Sequence, residues 1–108
     1  MTKPKIYISG PISGRKIEFA ERDFREAQQY LEARGYEVLN PFNNGLTIED
    51  SWLRHMVADI NMLGKADAVY MLCGWPDSDG AEIEFLLANR AGLPVYYQPG
   101  DNVVPYAG

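Results

Sequence analysis

The feature that most constrains this chain is a regular alternation between short β-rich runs and longer segments with helical periodicity. The β-rich runs are KIYIS (5–9), YEVLN (36–40), ADAVYML (66–72) and PVYYQ (94–98). Segments with apolar residues at helical spacing lie between them, at residues 17–34, about 49–63 and 78–91. This β-α-β-α-β-α-β order predicts a parallel sheet with helices on both of its faces.

The expected architecture is a single α/β domain over residues 1–108. We expect a flavodoxin-like (Rossmann-like) three-layer α/β/α fold, with about four to five parallel strands in the order 2-1-3-4. In that order the switch point lies between strands 1 and 3, and ligands bind beyond the carboxyl ends of the strands there. The loops that leave these strands, GPISGRK and CGWPDSDG, are therefore the predicted mouth of a pocket.

Composition narrows the partners. The 108-residue chain carries a net charge of −5, which argues against duplex nucleic acid but still allows a small nucleotide. One cysteine and one histidine exclude an internal disulfide and argue against a His/Cys metal site, and nothing indicates a cofactor. The apolar run within the first ten residues, MTKPKIYISG, is too short for a signal peptide, and no apolar run approaches the length of a membrane-spanning helix. We expect a cytoplasmic protein.

Glu84 is the first candidate for chemistry. Helical spacing places it on one side of the third predicted helix with small and apolar residues, namely Gly80, Leu87, Ala88 and Ala91. Glu82 points the other way, and we expect it to be solvated. Because Phe85 and Leu86 make the helix apolar nearly all round, Glu84 is either an exposed helix-forming residue or a functional carboxylate.

Asp59 is the second candidate. It lies one turn from His55 and beside the apolar stripe of the second predicted helix, which contains Trp52, Met56, Ile60 and Leu63. One interpretation is a surface acid paired with His55. The other is a carboxylic acid whose pKa is raised so that it can donate a proton.

Tyr7 and the two loops supply further candidates. Strand alternation puts Tyr7 and Ser9 on one face of strand 1, where Tyr7 either packs in the core or orients a carboxylate. The backbone amides of GPISGR (10–15) suit an anion, with charge from Arg15 or Lys16. Trp75 either stacks on a base or packs its own loop. No spacing supports Cys73 as a nucleophile or a triad around His55.

Several motifs taken together resemble the nucleoside 2-deoxyribosyltransferase-like superfamily. They are IYISGPISG, GYEVLNPF, the W and M..DI..L of the second helix, ADAVYML.GW..S.GAEIE and GLPVYY, in this order. Over about residues 5–97 the chain is similar to a small bacterial and phage domain family of largely uncharacterised function within that superfamily. Better-known relatives are the nucleoside 2-deoxyribosyltransferases and the 2′-deoxynucleoside 5′-monophosphate N-glycosidases.

The resemblance implies roles for particular residues. Glu84 matches the nucleophile, Asp59 the acid that contacts or protonates the nucleobase, and Tyr7 the tyrosine that holds the nucleophilic carboxylate. We expect substrate contacts from the loop after strand 1 and from the start of the third helix: Ser9, Gly10, Pro11, Ile12, Arg15, Trp75, Ser78 and Gly80.

The expected function is cleavage or transfer at the N-glycosidic bond of a (deoxy)nucleoside or nucleotide. Glu82 stands where the monophosphate glycosidases carry a glycine, and Pro11 and Ser13 stand in place of the serine and arginine associated there with 5′-phosphate binding. These departures from the family that the chain resembles argue against a 5′-monophosphate substrate. The apolar breadth of the third helix favours a homodimer or a higher homo-oligomer, and either a neighbouring subunit or the tail DNVVPYAG must complete the pocket. The alternatives are NAD glycohydrolysis, as in TIR-like domains, and a non-catalytic nucleotide-binding or interaction domain.

Overall fold

The computed structural model describes residues 2–98, so the tail that was expected to complete the pocket lies outside the described residues. The strands are β1 (Lys5–Ser9), β2 (Glu37–Leu39), β3 (Ala68–Met71) and β4 (Val95–Tyr97). The helices are α1 (Ile17–Glu32), α2 (Trp52–Leu63) and α3 (Asp79–Ala91), and short 3-10 turns cover Pro41–Asn43 and Trp75–Asp77. The kind and order of the elements are those predicted from the alternation.

The strands form one parallel sheet in the order β2-β1-β3-β4, which confirms the predicted topology. Strand β1 pairs with β2 through Tyr7 and Leu39, and with β3 through Tyr7 and Val69. The carboxyl ends of β1 and β3 are therefore neighbours, and the chain reverses its direction of winding between them. This arrangement positions the site described below.

A hydrophobic core lies on each face of the sheet, because successive side chains of β1 point to opposite sides. Ile6 and Ile8 pack on α1, against a cluster that includes Phe24 and Leu31. The other core faces α2 and α3 and contains Tyr7, Leu63, Val69, Met71, Ala81 and Ala88. Helices on both faces give the three layers expected from the sequence.

Two predicted helix ends are wrong by a few residues. Helix α1 stops at Glu32 rather than near residue 34, because the N–H groups of Arg34 and Gly35 already turn back to the carbonyls of Leu31 and Glu32. Helix α2 starts later than predicted, because the Ser51 hydroxyl caps it by accepting from the N–H of Arg54 at 3.1 Å. Asp50 instead closes the preceding turn, since its carboxylate accepts from the N–H of Thr47 at 2.9 Å.

The apolar faces predicted for α2 and α3 are only partly buried. On α2, Trp52 is 47% exposed and Ile60 37%, while the buried line is Met56, Asp59 and Leu63. On α3 the buried line is Ala81, Glu84 and Ala88, and the predicted members Leu87 and Ala91 are exposed. Small residues beside Glu84 let α3 approach the sheet, so the buried face follows side-chain size rather than the largest hydrophobic residues. No helix within residues 2–98 is both long and apolar enough to cross a membrane.

Candidate active site

Glu84 is a buried carboxylate held by two hydroxyl groups. Its side chain sits near the start of α3, and the residue is only 4% exposed. The Tyr7 hydroxyl donates to Oε2 at 2.9 Å, and the Ser9 hydroxyl donates to Oε1 at 2.6 Å. Both donors come from the same face of β1, because they are two residues apart in a strand. The end of β1 thus fixes the orientation of the Glu84 carboxylate.

The environment of Glu84 sets its protonation. Burial raises the pKa of Glu84 to about 7, and the charge of Asp59 also raises it, whereas the hydrogen bonds from Ser9 and Tyr7 oppose the rise. Burial also raises the pKa of Tyr7 well above its ordinary value, helped by the charges of Glu84 and Asp59. The Tyr7 hydroxyl therefore keeps its proton, and Glu84 can change its charge near neutral pH.

Asp59 is held by Asn44 rather than directly by His55. The Asn44 Nδ2 group donates to Asp59 Oδ1 at 2.8 Å and lies 3.1 Å from Nδ1 of His55. His55 Nε2 lies 2.8 Å from the backbone oxygen of Thr47, which can only accept, so Nε2 carries the hydrogen and Nδ1 accepts from Asn44. Of the two interpretations of Asp59, the surface acid paired directly with His55 is wrong, because the loop after β2 places the Asn44 amide between the two side chains.

Burial also changes the proton affinity of Asp59. The residue is 7% exposed. Burial raises the pKa of Asp59, while the hydrogen bond from Asn44 opposes the rise. Asp59 therefore holds a proton at a higher pH than an exposed aspartic acid does, which a proton donor requires.

Tyr7, Asp59 and Glu84 all line one open cleft of about 1000 Å³ at the carboxyl end of the sheet. Among the expected substrate contacts, those that line it are Gly10, Ile12, Arg15, Ser78 and Gly80. Three do not contribute to its lining: Ser9, Pro11 and Trp75. The cleft thus brings the three expected catalytic residues together and keeps most of the expected contacts.

The residues outside the cleft lining have other partners. Ser9 lies beneath the surface, on the Glu84 carboxylate. Trp75 packs its loop against α3 and β4, because its ring centroid lies 4.6 Å from that of Phe85 and 6.4 Å from that of Tyr97. The carbonyl of Pro11 accepts from Arg15 at 3.3 Å. Of the two interpretations of Trp75, the structure shows loop packing.

Several residues of the cleft were missed in the sequence, among them Asn44 and Trp52. Asn44 follows β2, and polar residues just after a strand beside the switch point could have indicated it. Trp52 was placed in the apolar stripe of the second predicted helix but not among the site residues, and it lines the cleft. A Cβ atom on Gly80 would lie 3.0 Å from Sδ of Met56 and 3.9 Å from Nε1 of Trp52, so the absence of a side chain at Gly80 lets α2 and α3 close the cleft wall.

Metal-ligand geometry is absent from the described part of the chain. Within residues 2–98, no group of three or more His, Cys, Asp and Glu side chains is arranged to hold a metal ion.

The family model described as Domain of unknown function (DUF4406) matches residues 4–97. No curated protein matches the chain. Among solved structures, the fold is similar to that of a 2-deoxyribosyltransferase from the psychrotolerant bacterium Bacillus psychrosaccharolyticus. The TM-score is 0.67 at 22% identity, over 93% of this chain and 76% of that one.

Two further solved structures are similar. A 2-desoxiribosyltransferase from Leishmania mexicana has a TM-score of 0.67 at 18% identity, over 87% of this chain and 63% of that one. A conserved protein from Enterococcus faecalis V583 has a TM-score of 0.65 at 20% identity, over 89% of this chain and 63% of that one. The chain therefore spans less than two thirds of the length of these two structures. At such identities the likeness establishes the fold, and it confirms the fold class expected from the sequence.

Proposed function

We propose that this chain, which belongs to the DUF4406 family, cleaves or transfers at the N-glycosidic bond of a (deoxy)nucleoside or nucleotide. The observation that carries the proposal is the buried Glu84 carboxylate, held by the hydroxyls of Tyr7 and Ser9 in a cleft that Asp59 also lines. The fold supports it, because two of the similar solved structures are described as deoxyribosyltransferases.

In the proposed reaction an oxygen of Glu84 attacks the anomeric carbon of the sugar. The bond from that carbon to the base nitrogen breaks, and its electron pair leaves with the base, which takes a proton from Asp59. A glycosyl ester on Glu84 results. The oxygen of water in a hydrolase, or the nitrogen of a second base in a transferase, then attacks the anomeric carbon. The bond from that carbon to Glu84 breaks, and the proton lost by the attacking group returns to Asp59. In either case Glu84 is regenerated as a carboxylate.

The two carboxyl groups suit these opposite roles. Two hydroxyl donors stabilise the charged form of Glu84, whereas Asp59 receives one amide donor from Asn44. Because the charge of Asp59 raises the pKa of Glu84, a proton on Asp59 favours the ionised form of Glu84. The proposed reaction uses the state in which the one proton of the pair is on Asp59 and Glu84 is ionised, as the acid and nucleophile roles require.

The test uses chromatography to measure the release of free base from deoxynucleosides and from deoxynucleoside 5′-monophosphates. Wild type should release base, and Glu84→Gln and Glu84→Ala should lose more than about a thousandfold of the activity, because the nucleophile is gone. Glu82→Gln is the matched control, since Glu82 is exposed on the same helix. Equal release by wild type and Glu84→Ala would remove Glu84 from the mechanism.

Additions to the same assay separate the related activities. A second free base in the mixture distinguishes transfer, which forms a new nucleoside, from hydrolysis. Nicotinamide release from NAD that disappears in Glu84→Gln would reassign the chain to NAD glycohydrolysis. Thermal stabilisation by nucleosides without any turnover would mark a binding domain instead.

A further inference from the structure

We propose that Asn44 is a positioning residue that decides which oxygen of Asp59 carries the proton given to the leaving base, and that His55 holds Asn44 in place. This inference rests on the proposed function and adds two residues to its proton step. It comes from one continuous chain of hydrogen bonds, which runs from the backbone of the loop after β2 through His55 and Asn44 to Asp59 in the cleft.

The orientation of the Asn44 amide group is fixed by its neighbours. Its Oδ1 accepts from the backbone N–H of Leu46 at 2.9 Å, so Nδ2 is the atom that faces α2. Nδ2 has two hydrogens, and two acceptors lie within reach of it: Asp59 Oδ1 at 2.8 Å and His55 Nδ1 at 3.1 Å. A flipped amide would set a donor against the N–H of Leu46 and an oxygen against two acceptors. Only the observed orientation satisfies all of these groups.

His55 offers an acceptor to Asn44 in one tautomer. Its Nε2 lies 2.8 Å from the carbonyl oxygen of Thr47, which has no hydrogen to give, so Nε2 carries the hydrogen and Nδ1 keeps its lone pair. Thr47 and Asn44 belong to the same loop, and both are therefore tied to one ring of α2. His55 engages the second hydrogen of Asn44 and so opposes rotation of the amide away from Asp59.

The hydrogen bond from Asn44 makes the two oxygens of Asp59 unequal. In a protonated carboxyl group the carbonyl oxygen is the better acceptor, because the lone pairs of the hydroxyl oxygen are partly delocalised. An amide donor on Oδ1 therefore favours the form with the proton on Oδ2. Because Asp59 lines the same cleft as Glu84, a base bound there takes its proton from Oδ2.

The same contact assists the reaction after the proton has left. The bond from Oδ2 to hydrogen breaks, its electron pair stays on Asp59, and the departing base gains the hydrogen. The carboxylate that results still accepts from Asn44, and this hydrogen bond favours the charged form of Asp59. Asn44 thus orients the acid before the proton step and stabilises the product of that step.

The loop after β2 also contains a matched asparagine that lacks this role. Like Asn44, Asn40 accepts through its side chain from the backbone N–H two residues further on, that of Phe42, at 3.0 Å. Its Nδ2 donates to Gln28 of α1 at 3.0 Å, and Asn40 does not contribute to the cleft lining. Asn40 therefore supports the loop without contact with Asp59.

The test is a double-mutant cycle on the rate of base release in a single turnover, with protein in excess and the deoxynucleoside or deoxynucleotide that wild type uses fastest. Asn44→Ala should slow release by roughly tenfold to a hundredfold, because the acid is misplaced. In an Asp59→Ala background the same substitution should change the rate by less than about twofold, since the residue through which Asn44 acts is gone. His55→Phe should show the same dependence on Asp59 with a smaller loss.

A second variant and a control keep the effect separate from folding. Asn44→Asp retains an oxygen for the N–H of Leu46 but sets a second carboxyl group beside Asp59 Oδ1. The two carboxyl groups then share a proton between them and draw it away from Oδ2, so this variant should lose activity in the same Asp59-dependent way. Asn40→Ala is the control, and its effect should be the same factor in both backgrounds.

The outcomes separate this inference from the proposed function. Equal losses from Asn44→Ala in the two backgrounds, or no loss in either variant of Asn44, would overturn the inference while leaving Glu84 as the nucleophile. An equally large Asp59-dependent loss in Asn40→Ala would overturn it as well, because loop stability would then explain the effect. A His55→Phe loss that is independent of Asp59 would remove His55 from the inference. A wild type that releases no base from any substrate would refute the proposed function and this inference together.

Discussion

Glu84 carries its charge at a cost, because desolvation of a buried carboxylate is only partly offset by two hydroxyl donors. The Tyr7 and Ser9 hydroxyls favour the charged form, yet burial still raises the pKa of Glu84 to about 7. A group in this state is reactive once ionised, since it has given up most of its water. The same burial makes the stability of the protein depend on pH.

Replacing Glu84 with Gln tests this directly. Its folded pKa of about 7 exceeds the ordinary 4.5, so the folded protein holds the proton more tightly than the unfolded chain does. Wild-type stability relative to Glu84→Gln should be greatest below pH 4.5 and should fall as the pH rises to about 7, by a total of about 3 kcal/mol. Urea unfolding of both proteins across this range measures the difference.

Glu82→Gln provides the control, because its side chain is exposed on the same helix. The stability difference between wild type and Glu82→Gln should stay nearly constant over the same pH range. A difference for Glu84→Gln that is flat, or that rises with pH, would contradict the assigned environment of Glu84.

At the scale of elements, α2 and α3, which both line the cleft, begin with a serine cap. Ser51 accepts from the N–H of Arg54 at 3.1 Å at the start of α2, and Ser78 accepts from that of Ala81 at 3.3 Å at the start of α3. Ser51→Ala and Ser78→Ala should each reduce the free energy of unfolding by about 1 kcal/mol. Since only Ser78 lines the cleft, only Ser78→Ala should also raise KM.

Denaturant unfolding and steady-state kinetics on the two variants measure these effects. The caps are matched in residue type and position, so a loss of stability alone cannot explain a change confined to Ser78→Ala. A rise in KM of equal size in both variants would show that the cap of α3 acts only through stability.

Which parts of the site the sequence could predict is also clearest at the scale of elements. Alternation in β1 correctly puts Tyr7 and Ser9 on one face, because that pattern depends only on strand geometry. The faces of α2 and α3 depend on what packs against them, and Trp52 turns toward the cleft despite its hydrophobicity. Asn44 reaches Asp59 across 15 residues of chain, a contact that no local pattern encodes. The strand-borne residues and the loop after β1 were therefore predictable, whereas the contact from Asn44 and the direction of Trp52 were not.

At the scale of the whole molecule, the chain leaves apolar side chains exposed on the outer side of α3. Leu86 is 52% exposed and Ile83 37%, whereas Phe85 packs against Trp75. The sequence favoured a homo-oligomer because α3 is apolar nearly all round. In the structure, the exposed apolar surface of α3 includes Leu86 and Ile83 but not Phe85. The oligomeric state remains a prediction.

Light scattering coupled to size-exclusion chromatography measures that state against the chain mass of 12.2 kDa. We expect wild type to elute with at least twice this mass and Leu86→Ser to shift toward the monomer, because the substitution removes apolar area from the contact. Phe19→Ser is the matched control, since Phe19 is 47% exposed on α1, across the sheet from α3. A monomeric wild type would contradict the homo-oligomer, and dissociation in Phe19→Ser but not in Leu86→Ser would move the contact to α1.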